Sequence, residues 1–468
     1  MAVGYTPLMV FINREHELRS LEHWWASAQQ GSIGIVWGRR RVGKTELVRH
    51  FSTGRRTLFH TAARRPVADE LRILSEQVAL LGPDGFRDLA ARPFADWTDA
   101  FESLTASAEH EPLLFVLDEF PELVEVTPEL PSILRAVWDR VRTRTRLRLL
   151  LCGSAVRTME AMQEEPAPLY GRFDLALTVH PFPPHEAALM LPRIRPAERA
   201  LVWGIAGGVP QYLAWWDQER SLPDNLEALA CTPGGRLLVE GELVMATEGG
   251  STELASQVLF AIAAGRTRFA EIKDAVGTDP TRILERLRSL RLVDRVLPVT
   301  ENERTTRRRL YRVADNFLAF WLGVLSRHRS QIELGLGRTI LPVLLAELDD
   351  FMGPRWEEAM RLHLRRLAEQ GQLGDDIVAI GPFWSTASDG GQNEIDAVAL
   401  AGRERAAVLV GEAKWARRVD GHRLRWELER KVQALPRARP DLRYAIAARE
   451  AVDGDGELLR ITAAEIFS

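Results

Sequence analysis

Lysine is scarce in this chain of 468 residues: it supplies four of the 61 basic side chains, and arginine supplies the others. Cysteine is scarcer still, and Cys152 and Cys231 are too few and too scattered for a disulfide framework or a zinc site. No apolar run approaches the ~18 residues of a membrane-spanning helix, and the first residues lack the cationic start and apolar core of a secretory signal. These absences exclude the membrane-spanning and disulfide-rich classes and predict a cytoplasmic protein with no membrane partner.

The few lysines mark positions where an ammonium group has a specific use. An ammonium is a compact point charge, which arginine replaces poorly where one oxygen must be met at close range. Lys44 ends a glycine-rich loop, and Lys414 follows an apolar run in the sequence Glu412-Ala413-Lys414. Each of these two lysines predicts a chemical site.

An α/β fold is predicted by the order of apolar and amphipathic segments. Over the first 180 residues, short apolar runs alternate with helical stretches, which is typical of a parallel sheet with helices on both faces. The predicted strands are Gly34–Trp37, Thr57–His60, Leu113–Leu117, Leu147–Cys152 and Leu175–Val179. We divide the chain into an α/β core over 1–194, a helical lid over 195–247, a third domain over 248–330 and a C-terminal α/β domain over 331–468. A linker at 248–251 and a loose segment at 331–338 are predicted at the last two boundaries.

Residues 38–45, with the sequence GRRRVGKT, match the phosphate-binding pattern G-x-x-x-x-G-K-[ST]. An apolar strand leads into this loop and a helix leads out of it, so the backbone N–H groups and the helix N-terminus face the same anion. Lys44 is predicted to reach the β- and γ-phosphates of ATP, and the Thr45 hydroxyl to bind Mg²⁺. The residues predicted to bind the nucleotide here are Gly38, Arg39, Arg40, Arg41, Val42, Gly43, Lys44, Thr45 and Glu46.

Two acids follow a later strand and are predicted to complete this site. The buried run Leu113–Leu117 ends in Asp118 and Glu119, which are predicted to hold Mg²⁺ and to activate the attacking water. A glycine-rich surface turn would account for the loop alone, but not for these acids as well. The sequence therefore predicts an ATP site.

Two further residues are predicted to act on the γ-phosphate. Ser154, which follows the strand Leu147–Cys152, is predicted to hydrogen-bond it. Arg172, in the sequence LYGR, is predicted to sense or stabilise the charge of the transition state. The alternative for Arg172 is a solvated arginine on the surface.

Several short segments together resemble the archaeal-type ATPase family, which belongs to the STAND class of signalling P-loop ATPases. They are FINRE at 11–15, GRRRVGKT at 38–45, LDE at 117–119, CGS at 152–154, LYGR at 169–172 and GGVP at 207–210. The resemblance implies that Asn13 and Arg14 border the adenine. It also implies that Pro210 lies near the nucleotide from the lid.

A basic region follows the lid. Between Arg266 and Arg312, thirteen basic residues stand against seven acidic ones, although the whole chain has a net charge of -4. The pattern over 253–327, helices and then two strands flanking a polar loop at 301–307, is the order of a winged helix. Thr281–Arg288 would be its recognition helix, and phosphate contacts from the wing predict DNA binding. The predicted wing carries Arg304, Arg307, Arg308 and Arg309. The alternative is a winged helix that docks a protein or another part of the chain.

The last predicted site lies in the C-terminal domain. The strand-like runs Ile395–Leu400 and Ala406–Gly411 flank a polar turn, so a hairpin would place Asp396 opposite Glu412. Opposed carboxylates repel each other unless they share a cation, and their oxygens suit Mg²⁺. Lys414, on the same strand face as Glu412, would then orient a water or stabilise developing charge.

This arrangement resembles the core of the PD-(D/E)XK nucleases, in which an acid on the preceding helix usually completes the site. The resemblance implies Glu357 for that position, with Glu358 as the second choice. Archaeal-type ATPases are often followed by a winged helix and a C-terminal domain of this shape, and residues 311–321 resemble their joining segment. The alternative for Glu412-Ala413-Lys414 is a surface ion pair at a strand end.

Together these predictions describe a cytoplasmic ATP-hydrolysing switch, using ATP and Mg²⁺, that controls a DNA-binding winged helix and a nuclease-like domain. Two other functions stay open: a signalling ATPase whose last domain only binds DNA or a protein, and a transcription regulator controlled by nucleotide. A second copy of the chain or another protein is left open as a partner. The predicted catalytic residues are Asp118, Glu119, Arg172, Glu357, Asp396, Glu412 and Lys414, and the predicted metal ligands are Thr45, Asp118, Asp396 and Glu412.

Overall fold

The structure of the chain, a computed structural model, describes residues 11–81, 88–248, 252–386, 391–454 and 456–468. The chain divides into two compact units, residues 1–180 and 181–468. The first unit ends before the boundary predicted at 194, and the second contains all the residues that follow it. No helix within the described ranges is both long enough and apolar enough to cross a membrane.

The first unit is built on a five-stranded parallel sheet with the strand order β2-β3-β4-β1-β5. Each strand begins and ends within two residues of its prediction, so the predicted sheet is confirmed. Its strands are β1 Ser32–Trp37, β2 Thr57–Thr61, β3 Leu113–Asp118, β4 Leu147–Gly153 and β5 Phe173–Thr178. Its helices are α1 Glu15–Ser27, α2 Lys44–Ser52, α3 Val67–Ala79, α4 Trp97–Ser107, α5 Phe120–Val126, α6 Leu130–Val141 and α7 Val156–Ala161.

Continuous apolar sequence makes the three central strands β1, β3 and β4 buried along their whole length. Alternate residues of a strand point to opposite faces, so Ile35 packs in the core on one face and Val36 in the core on the other. The described strands of this sheet all pair in parallel. Their carboxyl ends therefore meet at one edge, where the loop after β1, Asp118 and Ser154 all lie.

The second unit begins with helices, as predicted for the lid, and continues into three helices and a two-stranded antiparallel pair. The element order is the one predicted for a winged helix, and that assignment stays a prediction. The helices are α8 Pro184–Leu189, α9 Pro196–Ala206, α10 Pro210–Ala214, α11 Leu222–Leu229, α12 Arg236–Thr247, α13 Glu253–Ala263, α14 Phe269–Val276 and α15 Thr281–Ser289, and the strands are β6 Val293–Val296 and β7 Leu310–Val313. The wing loop between these strands spans residues 297–309 and contains the polar loop predicted at 301–307.

A mixed five-stranded sheet forms the C-terminal part, with the strand order β14-β12-β10-β9-β8. The strands β8, β9 and β10 pair antiparallel, and β10, β12 and β14 pair parallel. The long helix α17 packs against this sheet. The elements are α16 Asn316–Phe320, α17 Gly337–Glu369, β8 Ile377–Thr386, β9 Gln392–Ala401, β10 Ala406–Ala413, β11 Arg418–Asp420, α18 Gly421–Lys431, β12 Ala438–Ala447, β13 Ala451–Asp453, β14 Leu458–Ile461 and α19 Ala463–Ile466.

The loose segment predicted at 331–338 is wrong, because residues 332–336 form a helical turn that leads directly into α17. Ile332 is fully buried and ties this turn to the core, while Gly335, at φ 84°, allows the break in helix direction. Residues 249–251 of the predicted linker lie outside the described residues. One hydrophobic core runs from Phe182 to Phe467, so the second unit shares a single core across the three domains predicted for it.

Candidate functional site

The loop between β1 and α2 has the backbone that a phosphate-binding loop requires. Gly43 adopts the left-handed conformation at φ 90°, and Arg41 adopts it at φ 66°. A Cβ atom on Gly38 would lie 2.2 Å from the carbonyl oxygen of Val179, so a side chain has no room there. The loop then runs into α2, whose first residue is Lys44.

Lys44 is nearly buried, with 5% of its surface exposed. Its Nζ donates hydrogen bonds to the carbonyl oxygens of Gly38 and Arg39, both at 3.0 Å. Because these carbonyls belong to the loop itself, the ammonium lies within the turn that would enclose a phosphate. This is the position predicted for a phosphate-binding lysine.

Asn13 and Arg14 lie at the start of α1, both in the left-handed backbone region. The buried guanidinium of Arg14 donates from Nη2 to the carbonyl oxygen of Val42 at 2.7 Å and from Nη1 to Glu17 at 2.8 Å. Arg14 therefore holds the loop backbone, a role that the sequence did not predict. Asn13 Nδ2 is buried and donates no hydrogen bond to any residue that the structure describes, so an acceptor on a bound ligand would satisfy it.

Asp118 and Glu119 lie at the same sheet edge as the loop. Thr45 Oγ1 donates to Asp118 Oδ2 at 3.0 Å, which brings together a hydroxyl and a carboxylate as Mg²⁺ ligands would be. Burial raises the pKa of Asp118, against the effect of the hydrogen bond from Thr45. Glu119 has a left-handed backbone at φ 54°, which is strained for a residue with a Cβ atom. Strain of this kind concentrates at functional sites.

Ser154 lies between the loop and these acids, because β4 separates β1 from β3 in the sheet. Trp37 pairs with Gly153, so Ser154 follows at the level of the loop. Its backbone N–H and its Oγ both donate to Glu119 Oε2, at 3.3 and 3.0 Å. Ser154 therefore orients the carboxylate of Glu119, and its predicted bond to the γ-phosphate stays a prediction.

The structure does not bring Arg172 to this site. Phe173 pairs with Ile33 near the start of β1, so Arg172 lies at the amino edge of the sheet, whereas the loop begins after the end of β1. Six residues of strand span about 20 Å at ~3.3 Å each. Arg172 instead forms a two-pronged ion pair with Asp139, at 2.8 and 2.9 Å. Its predicted role at the γ-phosphate does not fit this position.

The other predicted nucleotide contacts lie around the loop or outside the first unit. Arg40 and Glu46 are exposed at the loop, and Arg39 is half-buried. Pro210 begins α10 in the second unit, and its contact with the nucleotide stays a prediction. A magnesium nucleotide would fit this site. The loop would enclose its phosphates, Thr45 and Asp118 would hold the cation, and the unsatisfied side-chain amide of Asn13 would donate to the nucleotide.

A second candidate site lies in the C-terminal sheet. We call it the acid–lysine cluster, and it consists of Glu357, Asp396, Glu412, Lys414 and Lys431. Ala397 pairs with Gly411 across the β9–β10 hairpin, so Asp396 and Glu412 come next on the two strands. The backbone N–H of Ala413 donates to Asp396 Oδ2 at 2.7 Å. The hairpin register predicted from the sequence is therefore present.

Glu412 is the centre of the cluster and is buried. Its Oε1 accepts a hydrogen bond from Lys414 Nζ at 2.7 Å, and its Oε2 accepts one from Lys431 Nζ at 2.8 Å. Two of the four lysines of the chain thus meet on one carboxylate. Sequence reasoning missed Lys431, and the only signal for it was the rarity of lysine.

The charges of the other predicted residues, Glu357, Asp396 and Lys414, affect one another's pKa. Burial raises the pKa of Asp396 to about 7, and the charges of Glu357 and Glu412 contribute to the rise. Burial also raises the pKa of Glu357, against the charges of Arg361 and Lys414. Burial alone would lower the pKa of Lys414, but the hydrogen bond to Glu412 and the nearby acids raise it. The structure therefore brings together the four residues that the nuclease resemblance named.

As arranged, the cluster does not form a metal centre. Both carboxylate oxygens of Glu412 accept hydrogen bonds from ammonium groups. In the described parts of the chain, no group of three His, Cys, Asp or Glu side chains is placed to hold a metal ion. A cation would have to displace a lysine from Glu412. The metal-binding roles of Asp396 and Glu412 therefore stay predictions that require such a displacement.

Glu358, the second choice for the helix acid, has other partners. Its carboxylate accepts hydrogen bonds from Arg312, Arg361 and Arg365, at 2.8, 3.0 and 3.3 Å. Burial opposes its ionisation, yet these arginines lower its pKa to about 2. Glu358 therefore ties α17 to β7 through its ion pair with Arg312.

The predicted recognition helix is present as α15. Arg288 on this helix pairs with Glu285 at 2.8 Å, so it is engaged within the helix. Arg282 and Arg286 are exposed and form a separate row, since residues four apart share a helix face. DNA contact through α15 would therefore use Arg282 and Arg286, and it stays a prediction.

Two parts of the chain match known protein families. Residues 11–215 match a family described as an ATPase domain predominantly from Archaea. We refer to this segment as the ATPase domain. This ATPase domain contains the phosphate loop, Asp118, Glu119 and Ser154, so the resemblance seen in the sequence is confirmed for it. Residues 321–425 match a family described as Archaea bacterial proteins of unknown function. The matched residues include the acid–lysine cluster except Lys431.

Individual proteins also resemble this chain. An uncharacterized protein of Methanocaldococcus jannaschii is 26% identical over 412 residues, which cover 87% of this chain and 88% of that protein. An uncharacterized ATP-binding protein of the same organism is 43% identical over 44 residues, 9% of this chain and 73% of that protein. The Walker-type ATPase of Pyrococcus abyssi superposes with a TM-score of 0.51 at 22% identity, over 67% of this chain and 96% of that chain. This last likeness shows a shared fold.

Proposed function

We propose that the archaeal-type ATPase domain binds ATP with Mg²⁺ and hydrolyses it, and that the second unit binds DNA. The observation that carries the first part is the meeting of five predicted residues at one sheet edge. Lys44 lies inside the loop, Thr45 bonds to Asp118, and Ser154 orients Glu119. This arrangement supplies a cation for phosphate, two oxygen ligands for a metal ion and a base for water.

Each side chain has a definite task in this proposal. Lys44 would exchange its bonds to the loop carbonyls for bonds to phosphate oxygens, which are stronger acceptors because they are charged. Thr45 and Asp118 would hold Mg²⁺, which neutralises charge on the phosphate oxygens. Glu119 would accept the proton of the attacking water, held in place by Ser154.

Replacing Asp118 by asparagine is expected to remove the magnesium dependence of ATP binding. The amide keeps the shape of the side chain and still accepts the hydrogen bond from Thr45, but it offers the cation no negative charge. Calorimetric titration of ATP in magnesium and in EDTA measures the ratio of the two affinities. We expect this ratio to be large for the wild type and close to one for Asp118→Asn.

Asp139→Asn is the matched control, because Asp139 lies at the opposite edge of the sheet in its pair with Arg172. This variant should keep the wild-type ratio. A wild-type ratio in Asp118→Asn would remove Asp118 from the proposed metal site.

DNA binding is supported by the exposed arginines of residues 266–312. Arg282 and Arg286 on α15 and Arg304 and Arg307 on the wing loop are exposed, and none of them forms a salt bridge with a residue in the described ranges. Uncompensated arginines attract the phosphate backbone of nucleic acid. We propose that the nucleotide state of the ATPase domain alters this affinity, which would make the protein a switch.

Metal-dependent DNA cleavage is a second candidate function, supported by the convergence of Glu357, Asp396, Glu412 and Lys414. It predicts that the full chain nicks supercoiled plasmid in magnesium or manganese but not in EDTA. Asp396→Asn and Lys414→Ala should lose this activity, while Lys273→Ala should keep it. If the wild type leaves the plasmid intact in both metals, the C-terminal domain binds without cutting, which the pairing of Glu412 with two lysines favours.

A further inference from the structure

A cleft of about 820 Å³ lies in the second unit between the wing loop and β8, the edge strand of the C-terminal sheet. We call it the wing cleft. Its walls come from the wing loop, from the first residues of α14 and α15, and from β8 and β9. Its lining contains five arginines, Arg268, Arg304, Arg307, Arg308 and Arg309, against a single acidic residue, Glu285. The cleft is therefore strongly basic.

Most of this positive charge has no acidic partner. Glu285, the acid in the lining, already pairs with Arg288 at 2.8 Å. Arg304 and Arg307 are exposed and form no salt bridge with any residue of the described ranges. Arg309 Nε is buried and finds no hydrogen-bond acceptor there. A polyanion in the cleft would satisfy these groups.

Three aromatic residues line the cleft, and Tyr311 is the buried one of the three, whereas Phe269 and Trp384 are more exposed. Phe269, at the start of α14, has 36% of its surface exposed, and Trp384 on β8 is half-buried. An anion alone has no use for aromatic walls, whereas a nucleic-acid base stacks on them whatever its identity. Arginines combined with aromatic platforms are the composition of sites that follow a single strand.

The shape of the cleft also favours a single strand over a duplex. A duplex is read by an element that protrudes into its major groove, which is about 12 Å wide. In the wing cleft, Thr281 and Glu285 instead make α15 a wall of a concave space. The row of Arg282 and Arg286 belongs to another face of the same helix. A duplex bound through that row would leave the wing cleft unused.

We propose that the wing cleft binds single-stranded nucleic acid, with the phosphates on the arginines and the bases stacked on Phe269 and Trp384. This inference rests on the proposed nucleic-acid binding of the second unit and specifies the form of nucleic acid bound. Gln392 lines the cleft, and Glu394 shares its strand face because it is two residues further along β9. The next residue of that spacing is Asp396, so the acid–lysine cluster begins about 13 Å along β9 from the cleft.

Fluorescence anisotropy of the full chain with a labelled oligothymidylate of about 12 nucleotides, and with a duplex of the same length, tests this proposal. We expect tighter binding of the single strand. Trp384→Ala should weaken it by about 5- to 150-fold, and Trp384→Phe, which keeps an aromatic face, should restore most of the affinity. In the double variant Arg304→Ala/Arg307→Ala, the slope of log affinity against log salt concentration should fall by about 0.7 per lost phosphate contact.

Arg193→Ala/Arg195→Ala is the matched control, because it removes the same charge from an exposed part of the second unit outside the cleft. It should leave single-strand binding unchanged. Preferential duplex binding that is lost in Arg282→Ala/Arg286→Ala and kept in Trp384→Ala would overturn the wing-cleft proposal and leave the proposed DNA binding intact. The absence of binding to either oligonucleotide would overturn both. Equal losses in Trp384→Ala and Trp384→Phe would overturn the stacking role.

Discussion

Replacing Lys44 by alanine is expected to weaken binding of magnesium ATP by about 2–5 kcal/mol, or roughly 30-fold to several thousand-fold. The ammonium lies inside the loop, bonded to the carbonyls of Gly38 and Arg39 and 5% exposed, so a phosphate there meets it with little intervening water. Without it, the phosphates face only backbone N–H groups. Lys44→Arg is expected to bind almost as weakly, because a planar guanidinium does not fit a place that holds an ammonium.

Lys273→Ala provides the control for this experiment, since it removes an exposed lysine on α14 in the second unit. Calorimetric titration should show wild-type affinity for this variant. Thermal melting of both variants separates a loss of binding from a loss of folding. Unchanged affinity in Lys44→Ala would show that the nucleotide does not occupy this loop, and the proposed function would fail with it.

Glu119→Gln is expected to lower ATP hydrolysis by about 10²–10⁴-fold while ATP binding is kept. Glutamine has the size of glutamate and still accepts the two hydrogen bonds from Ser154, but it cannot take a proton from water. The strained backbone at residue 119 is set by the start of α5 and should persist in the variant. Phosphate release at saturating magnesium ATP, combined with equilibrium titration, measures turnover and binding separately.

Glu122→Gln is the matched control, because Glu122 lies three residues further along α5 and pairs with Arg64. It should hydrolyse ATP at the wild-type rate. Wild-type turnover in Glu119→Gln would assign the base to another group. A parallel loss of binding and turnover would instead make Glu119 a nucleotide-binding residue.

Local sequence predicted the core of the first site well. The five strands of the first sheet appear within two residues of their predicted ends, because a buried parallel strand needs a continuous apolar run. The loop conformation also follows from adjacent residues, since Gly38 and Gly43 allow a backbone that other residues resist. Asp118 lies at the same edge as the loop because it ends a strand of the same parallel sheet.

The prediction for Arg172 failed because it did not take into account the direction of the strand that follows this residue. A residue that precedes a parallel strand lies at the amino edge of the sheet, and the pairing of Phe173 with Ile33 shows this position. The motif around Arg172 carries no information about its distance from the loop. The prediction of a loose segment at 331–338 failed for another reason. Its glycines are typical of a loop, but the structure shows that Ile332 is buried in the core.

The sequence by itself determined the parallel sheet, the phosphate loop with Lys44, and the pairing of Asp396 with Glu412 across a hairpin. Those features depend on residues that are neighbours in the chain or related by a short turn. Only the tertiary structure decided that Lys431 joins Lys414 on Glu412, that Arg14 holds the loop, and that the wing arginines face Trp384 across a cleft. Hydrogen bonds and ion pairs act over a few ångströms, and the chain separates these partners by many residues.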